Sequence, residues 1–155
     1  MILAFKQKMM SIAGKYEIYD EEGQIAYKIQ GRVRVPKKYD IYNTQGEKIA
    51  YLKSKYFDIL PQFRLFINEQ EVGRVKRKFS FFSQKFQIDC NDWRVEGDVI
   101  GYNYSIVDAN NSLVATLKRK LWQLTDQYVI DIVDPKDALL VLMIVLAIDA
   151  EGEGH

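Results

Sequence analysis

The chain has one cysteine and one histidine among 155 residues, and those two scarcities remove several chemistries at once. A lone Cys90 excludes an internal disulfide and fits a reducing compartment. A catalytic thiolate needs a basic partner. The one histidine is the terminal His155, so a Cys-His pair is not expected, and the simpler reading of Cys90 is a small buried side chain. A histidine-containing ligand set, a calcium-loop spacing and a glycine-rich phosphate loop are all missing. An excess of either charge is missing too: 22 basic against 21 acidic residues leave +1. No global field therefore draws the protein to nucleic acid, and no nucleic-acid partner is expected. The opening Met1-Ile2-Leu3-Ala4-Phe5-Lys6 has no basic region before its apolar residues and too short an apolar stretch for a secretory signal. The expectation is cytoplasmic residence, extended at most to peripheral membrane association, in a single domain over residues 1–155.

What is present is concentrated at the end of the chain. Asp134-Pro135-Lys136-Asp137 opens an unbroken apolar run from Ala138 to Ile148. Asp at the N-cap and Pro at the first helical position form a helix start, because the carboxylate satisfies orphan amides and Pro gives up no needed donor. A helix apolar on every side must be enclosed by protein or lipid. Crossing the hydrocarbon core takes about 20 residues, more than this run supplies. The prediction is a buried central helix over 134–149, with a membrane segment as the alternative.

The body repeats one motif. Tyr16-x-Ile18, Tyr39-x-Ile41, Phe63-x-Leu65, Phe86-x-Ile88, Tyr104-x-Ile106 and Tyr128-x-Ile130 all read aromatic-x-aliphatic, the alternation of a strand with one buried face. Polar clusters such as Asp20-Glu21-Glu22-Gly23, Asn43-Thr44-Gln45-Gly46 and Asp108-Ala109-Asn110-Asn111 follow three of them and mark hairpins. Six hairpins give about twelve strands. Tyr39–Ile67 also aligns without a gap on Tyr104–Ile132, predicting two equivalent halves. A sheet closed into a barrel removes its edges and makes an interior, and a barrel threaded by the apolar helix places every element. In the first hairpin Lys28 is read at the place of Leu52 and Leu117, which predicts a bulge at Gly31 or a different register.

With Lys6-Gln7-Lys8, Tyr16-x-Ile18-x-Asp20-x-x-Gly23, Asp92-Trp93-x-Val95-Glu96-Gly97-Asp98, Tyr128-Val129-Ile130-Asp131-Ile132 and Asp137-x-Leu139-Leu140, nearly the whole chain resembles the LURP-one-related family, including its short bacterial members. The resemblance implies the tubby C-terminal fold, shared with phospholipid scramblases: a twelve-stranded antiparallel barrel around a hydrophobic C-terminal helix. It implies no enzyme activity and no cofactor.

Acidic clusters invite a metal. Asp89, Asp92, Glu96 and Asp98 lie close in sequence, but Asp92-Trp93 reads as a turn before a strand. Asp134 and Asp137 are accounted for by helix capping. The expectation is no metal and no catalytic residue. The pattern carrying a functional hypothesis is cationic. Period-two alternation puts Lys53 and Lys55, Arg74, Lys76 and Lys78, and Lys118 and Lys120 on outward faces of related strands. These seven are the candidate site for anionic lipid headgroups, in keeping with tubby proteins as phosphoinositide binders. The competing reading is a wet, edge-protecting barrel surface. Tyr56-Phe57, Phe79-Ser80-Phe81-Phe82 and Leu121-Trp122 follow the ridges and read first as barrel-end packing, second as a membrane-interface or base-stacking set. The expected function is a non-enzymatic binding module for an anionic membrane surface or a protein partner. The alternatives are scramblase-like translocation and an apolar-ligand barrel.

Overall fold

In the computed structural model, residues 1–6, 14–32, 34, 36–55, 62–78, 85–122 and 125–152 are described. They form twelve strands and a terminal helix. The first half holds β1 (Ile2–Phe5), β2 (Gly14–Asp20), β3 (Ile25–Arg32), β4 (Lys38–Tyr42), β5 (Lys48–Ser54) and β6 (Gln62–Ile67). The second holds β7 (Gln70–Lys78), β8 (Lys85–Asp89), β9 (Arg94–Asp98), β10 (Asn103–Val107), β11 (Leu113–Trp122) and β12 (Thr125–Ile132). Pairing follows chain order, and β1 closes onto β12, so the ladder runs from β8 round to β9. The result is a nearly closed antiparallel barrel, with its break between β8 and β9.

One turn chemistry builds three of the hairpins. The Asp20 side chain accepts from the amides of Glu22 and Gln24, Asn43 from those of Gln45 and Glu47, and Asp108 from those of Asn110 and Ser112. Such short polar side chains substitute for a backbone partner in a tight turn. Gly23 and Gly46 follow at φ +78 and +81, where a Cβ is disfavoured. Just before each turn the register slips by one residue, at Ile18/Tyr19, Ile41/Tyr42 and Ile106/Val107.

The two aligned halves are equivalent in their pairing. Tyr39 faces Leu52 and Leu52 faces Leu65; sixty-five positions on, Tyr104 faces Leu117 and Leu117 faces Ile130. The first hairpin does not depart from this pattern. Tyr16 faces Ile29, and Gly31 stays in register opposite Gly14. Ile29, not Lys28, therefore occupies the place of Leu52, and the expected bulge at Gly31 is replaced by the slip at Ile18/Tyr19. The sixth motif strand, β12, has no later strand to fold back on; β1 supplies one from the start of the chain, with Phe5 opposite Tyr128.

Inward residues of the sheet and the helix form one buried cluster. A 3-10 turn over Pro135–Asp137, capped by the Asp134 side chain accepting from the Lys136 amide at 3.0 Å, leads into α1 (Ala138–Gly152). Every residue from Val141 to Glu151 is buried, against Leu52, Leu65, Val75, Ile106 and Ile130 among others. Full burial of one such aliphatic side chain contributes about 1.5–3 kcal/mol before entropy is subtracted. The helix is thus the centre of the core. It also continues past Asp149 to Gly152, carrying Asp149 and Glu151 into the interior.

Candidate functional site

Strand direction decides where the cations go. In an antiparallel barrel built in chain order, β1, β3, β5, β7, β9 and β11 all finish at the same barrel end. Lys53 and Lys55 lie at the finish of β5, Lys76 and Lys78 at that of β7, and Lys118 and Lys120 at that of β11. Lys15 and Lys38 stand at the starts of β2 and β4 at this same end, as does Arg32 at the finish of β3. The opposite end holds the turns with Asp20, Glu21, Glu22, Glu47 and Asp108, together with Asp134 and Asp137 before the helix. A net charge of +1 conceals a molecule basic at one end and acidic at the other.

The predicted ridges are brought together unequally. Arg32, Lys38, Lys53, Arg64 and Arg74 are successive Cα partners from β3 to β7, a cationic row at strand spacings of about 4.8 Å. The β5 and β7 ridges are therefore neighbours, linked by Arg64, a residue the sequence reading passed over. The ridge of Lys118 and Lys120 is on the far side of the barrel, four strands from β7 across the β8–β9 break. It shares their end but not their face.

The row is not uniformly free. Glu71 accepts from Arg64 at 2.7 Å and from Arg74 at 2.8 Å, and the two guanidiniums lower its carboxyl to about 2. Lys38 and Lys48 both approach Asp40, at 3.6 and 3.1 Å. Among the described residues Lys53, Lys55, Lys76, Lys78, Lys118 and Lys120 make no ion pair. Arg74 is thus the predicted site residue held in an ion pair, sharing the single charge of Glu71 with Arg64. The predicted aromatics Tyr56-Phe57 and Phe79–Phe82 fall outside the described residues.

Inside the basic end, the helix finishes among tyrosines. Tyr102 donates to the Asp149 carboxylate at 2.9 Å, and Arg77, on an inward position of β7, reaches the Glu151 carbonyl at 3.5 Å. Phe5 stacks on Tyr128 at 5.1 Å, and Tyr102 tilts against Tyr128 at 4.8 Å. Among the described residues the buried hydroxyls of Tyr16 and Tyr39 have no hydrogen-bond partner. Burial first, then Asp149 and Glu151, pushes Tyr39 up to about 12. Burial also raises the Glu151 carboxyl, against the pull of Lys37 and Arg77. Cations near a helix C-terminus are favoured by its dipole, and buried acids there are not. These acids follow the apolar run in sequence, so nothing in their spacing marked them as interior.

The acidic cluster disperses. Asp92 sits in a turn at φ +54, Asp98 accepts from the Gly101 amide at 2.9 Å, Glu96 pairs with Arg94 at 3.0 Å, and Asp89 stands opposite Arg74. Among the described residues no three His, Cys, Asp or Glu side chains are grouped to hold a metal. Cys90 is buried, and burial raises its thiol.

The LURP-one-related family model matches residues 1–149. The chain belongs to the LURP-one-related family. It is 27% identical over 149 residues to the uncharacterized protein YxjI of Bacillus subtilis (strain 168), covering 95% of this chain and 91% of that one. An X-ray structure of a protein from Arabidopsis thaliana superposes with a TM-score of 0.60 at 18% identity, covering 93% of this chain and 88% of the other. At that identity the likeness speaks to the fold alone. Among the described residues no helix is long and apolar enough to cross a membrane.

Proposed function

We propose that the protein is a non-enzymatic binding module whose basic barrel end seats on an anionic phospholipid surface. The observation that carries this reading is the axial charge separation: unpaired lysines of β5, β7 and β11 rim one end, and carboxylates crowd the other. A Lys or Arg near an anionic surface contributes about 1 kcal/mol, so several on one rim are enough for reversible attachment, and the acidic end orients the molecule by repulsion. The tubby-like relationship adds support from resemblance. Translocation of lipid would draw on α1, whose residues are enclosed by the sheet, and the same filling leaves the barrel axis to the helix and not to an apolar ligand. Both facts favour attachment from outside.

Vesicle sedimentation tests the proposal. Binding rises with the anionic lipid fraction and falls as salt is raised, because exposed charges are screened over about 10 Å at 0.1 M. Lys118→Gln with Lys120→Gln reduces it. No binding at low salt sinks the lipid reading and leaves a protein partner as the ligand of the basic end.

A further inference from the structure

Among the described residues the barrel wall parts beside β1. β1 stays paired to β12 through four residues, from Ile2 opposite Asp131 to Phe5 opposite Tyr128. Its pairing with β2 is confined to Leu3 opposite Asp20 and Ala4 opposite Tyr19. β2 meanwhile remains paired to β3 as far as Gly14 opposite Gly31. The two strands therefore part toward the basic end, leaving a cleft of about 330 Å³ between them. That is within the size range of small-molecule sites, roughly 300–1,000 Å³.

The lining combines two kinds of surface. Phe5 and Tyr16, core residues only 2% and 9% exposed, close its floor; Lys6, Lys15 and Lys28 stand around it with Glu17 and the half-buried Tyr19. Glu17 is occupied, accepting from the Tyr19 hydroxyl at 2.7 Å. The Lys6 ammonium is 5.4 Å from the Tyr19 ring centroid; Lys15 stands opposite Gln30 and Lys28 opposite Glu17. None of the three lysines makes an ion pair among the described residues. Three ammoniums against one carboxylate leave two positive charges around the cleft. A phosphate monoester carries about −1.5 to −2 charge at pH 7 and three acceptor oxygens, and lysines bind it as point charges.

We propose that the β1–β2 cleft binds a phosphate monoester through Lys6, Lys15 and Lys28, with the esterified stem lying against the half-buried ring of Tyr19. The ester comes either from solution or from the headgroup of a lipid. The cleft is a local site, and its occupancy by a soluble ester does not depend on the basic end meeting a bilayer.

Titration of the full chain with n-butyl phosphate and with inorganic phosphate, read by calorimetry, separates the sources when run beside sedimentation with phosphatidic acid and phosphatidylcholine vesicles. Saturable binding of butyl phosphate, tighter than inorganic phosphate, is expected. Lys6→Gln and Lys15→Gln each weaken it about tenfold, the value of a charge-assisted contact, and Lys136→Gln at the acidic end leaves it unchanged. Binding of phosphatidic acid vesicles alone, weakened by Lys6→Gln and Lys15→Gln, assigns the cleft to a lipid headgroup and also supports the site. Absence of butyl phosphate binding, with vesicle binding indifferent to both substitutions, overturns the cleft while leaving the basic-end reading standing. Loss of vesicle binding alone does the reverse.

Discussion

Tyr102 donates its hydroxyl to the Asp149 carboxylate at 2.9 Å across 47 positions of sequence, tying the β9–β10 turn to the end of the central helix. A hydrogen bond to a charged group is worth about 1.5–3 kcal/mol. Tyr102→Phe keeps the ring against Tyr128 and removes the hydroxyl, so urea unfolding is expected to show a loss of about that size. A variant as stable as the parent would show that turn and helix are not coupled.

Leu142 is fully enclosed. Leu142→Ala is expected to cost about 2–5 kcal/mol, and Leu142→Asp, which buries an unpaired charge, to yield no folded protein. Val133, 61% exposed just before the helix, is the control: Val133→Asp leaves the melting temperature nearly unchanged. A Leu142→Asp protein that melts like the parent contradicts the threaded barrel.

Glu151 makes stability depend on pH in a defined direction. Burial raises its carboxyl above the ordinary 4.5, so the folded state holds the proton more tightly than the unfolded chain. The resulting stabilisation is complete below 4.5 and is lost as pH rises through the folded value. Glu151→Gln removes that dependence. The variant is therefore expected to gain on the parent as pH rises from 4.5, measured as the difference between their melting temperatures. Glu71, lowered to about 2 by Arg64 and Arg74, works in the opposite sense: its contribution is present above 4.5 and lost as pH falls toward 2. It is common to both proteins and cancels in the difference. A constant difference across that range would show that Glu151 is not desolvated.

Much of this architecture was readable because local chemistry and global packing agree. Aromatic-x-aliphatic strands, Asp20, Asn43 and Asp108 at the turns, and the Asp134-Pro135 start each specify an element without help from distant residues. The gapless match of Tyr39–Ile67 to Tyr104–Ile132 carried even the register. Ile29, not Lys28, follows Gly23 at the same distance as Leu52 follows Gly46, and Tyr16 opposite Ile29 carries the same pattern. The site was less legible. Alternation showed which face each lysine takes, but which ridges are neighbours depends on strand order, and Arg64, the link between Lys53 and Arg74, precedes a turn of a different type. The parting of β1 from β2 and the interior position of Asp149 and Glu151 depend on closure of the chain's start onto its end. No local pattern encodes either.

The central claim is that the unpaired lysines of one barrel end meet an anionic surface, and partitioning onto vesicles tests it most directly. Lys53→Gln, Lys55→Gln, Lys76→Gln and Lys78→Gln are each expected to reduce partitioning about fivefold, the equivalent of roughly 1 kcal/mol, with no change in melting temperature. Arg74→Gln, at a side chain held by Glu71 in an ion pair shared with Arg64, is expected to do less, and Lys136→Gln at the acidic end to do nothing. Equal partitioning onto neutral and anionic vesicles, or a loss from Lys136→Gln as large as from the rim lysines, would contradict the account.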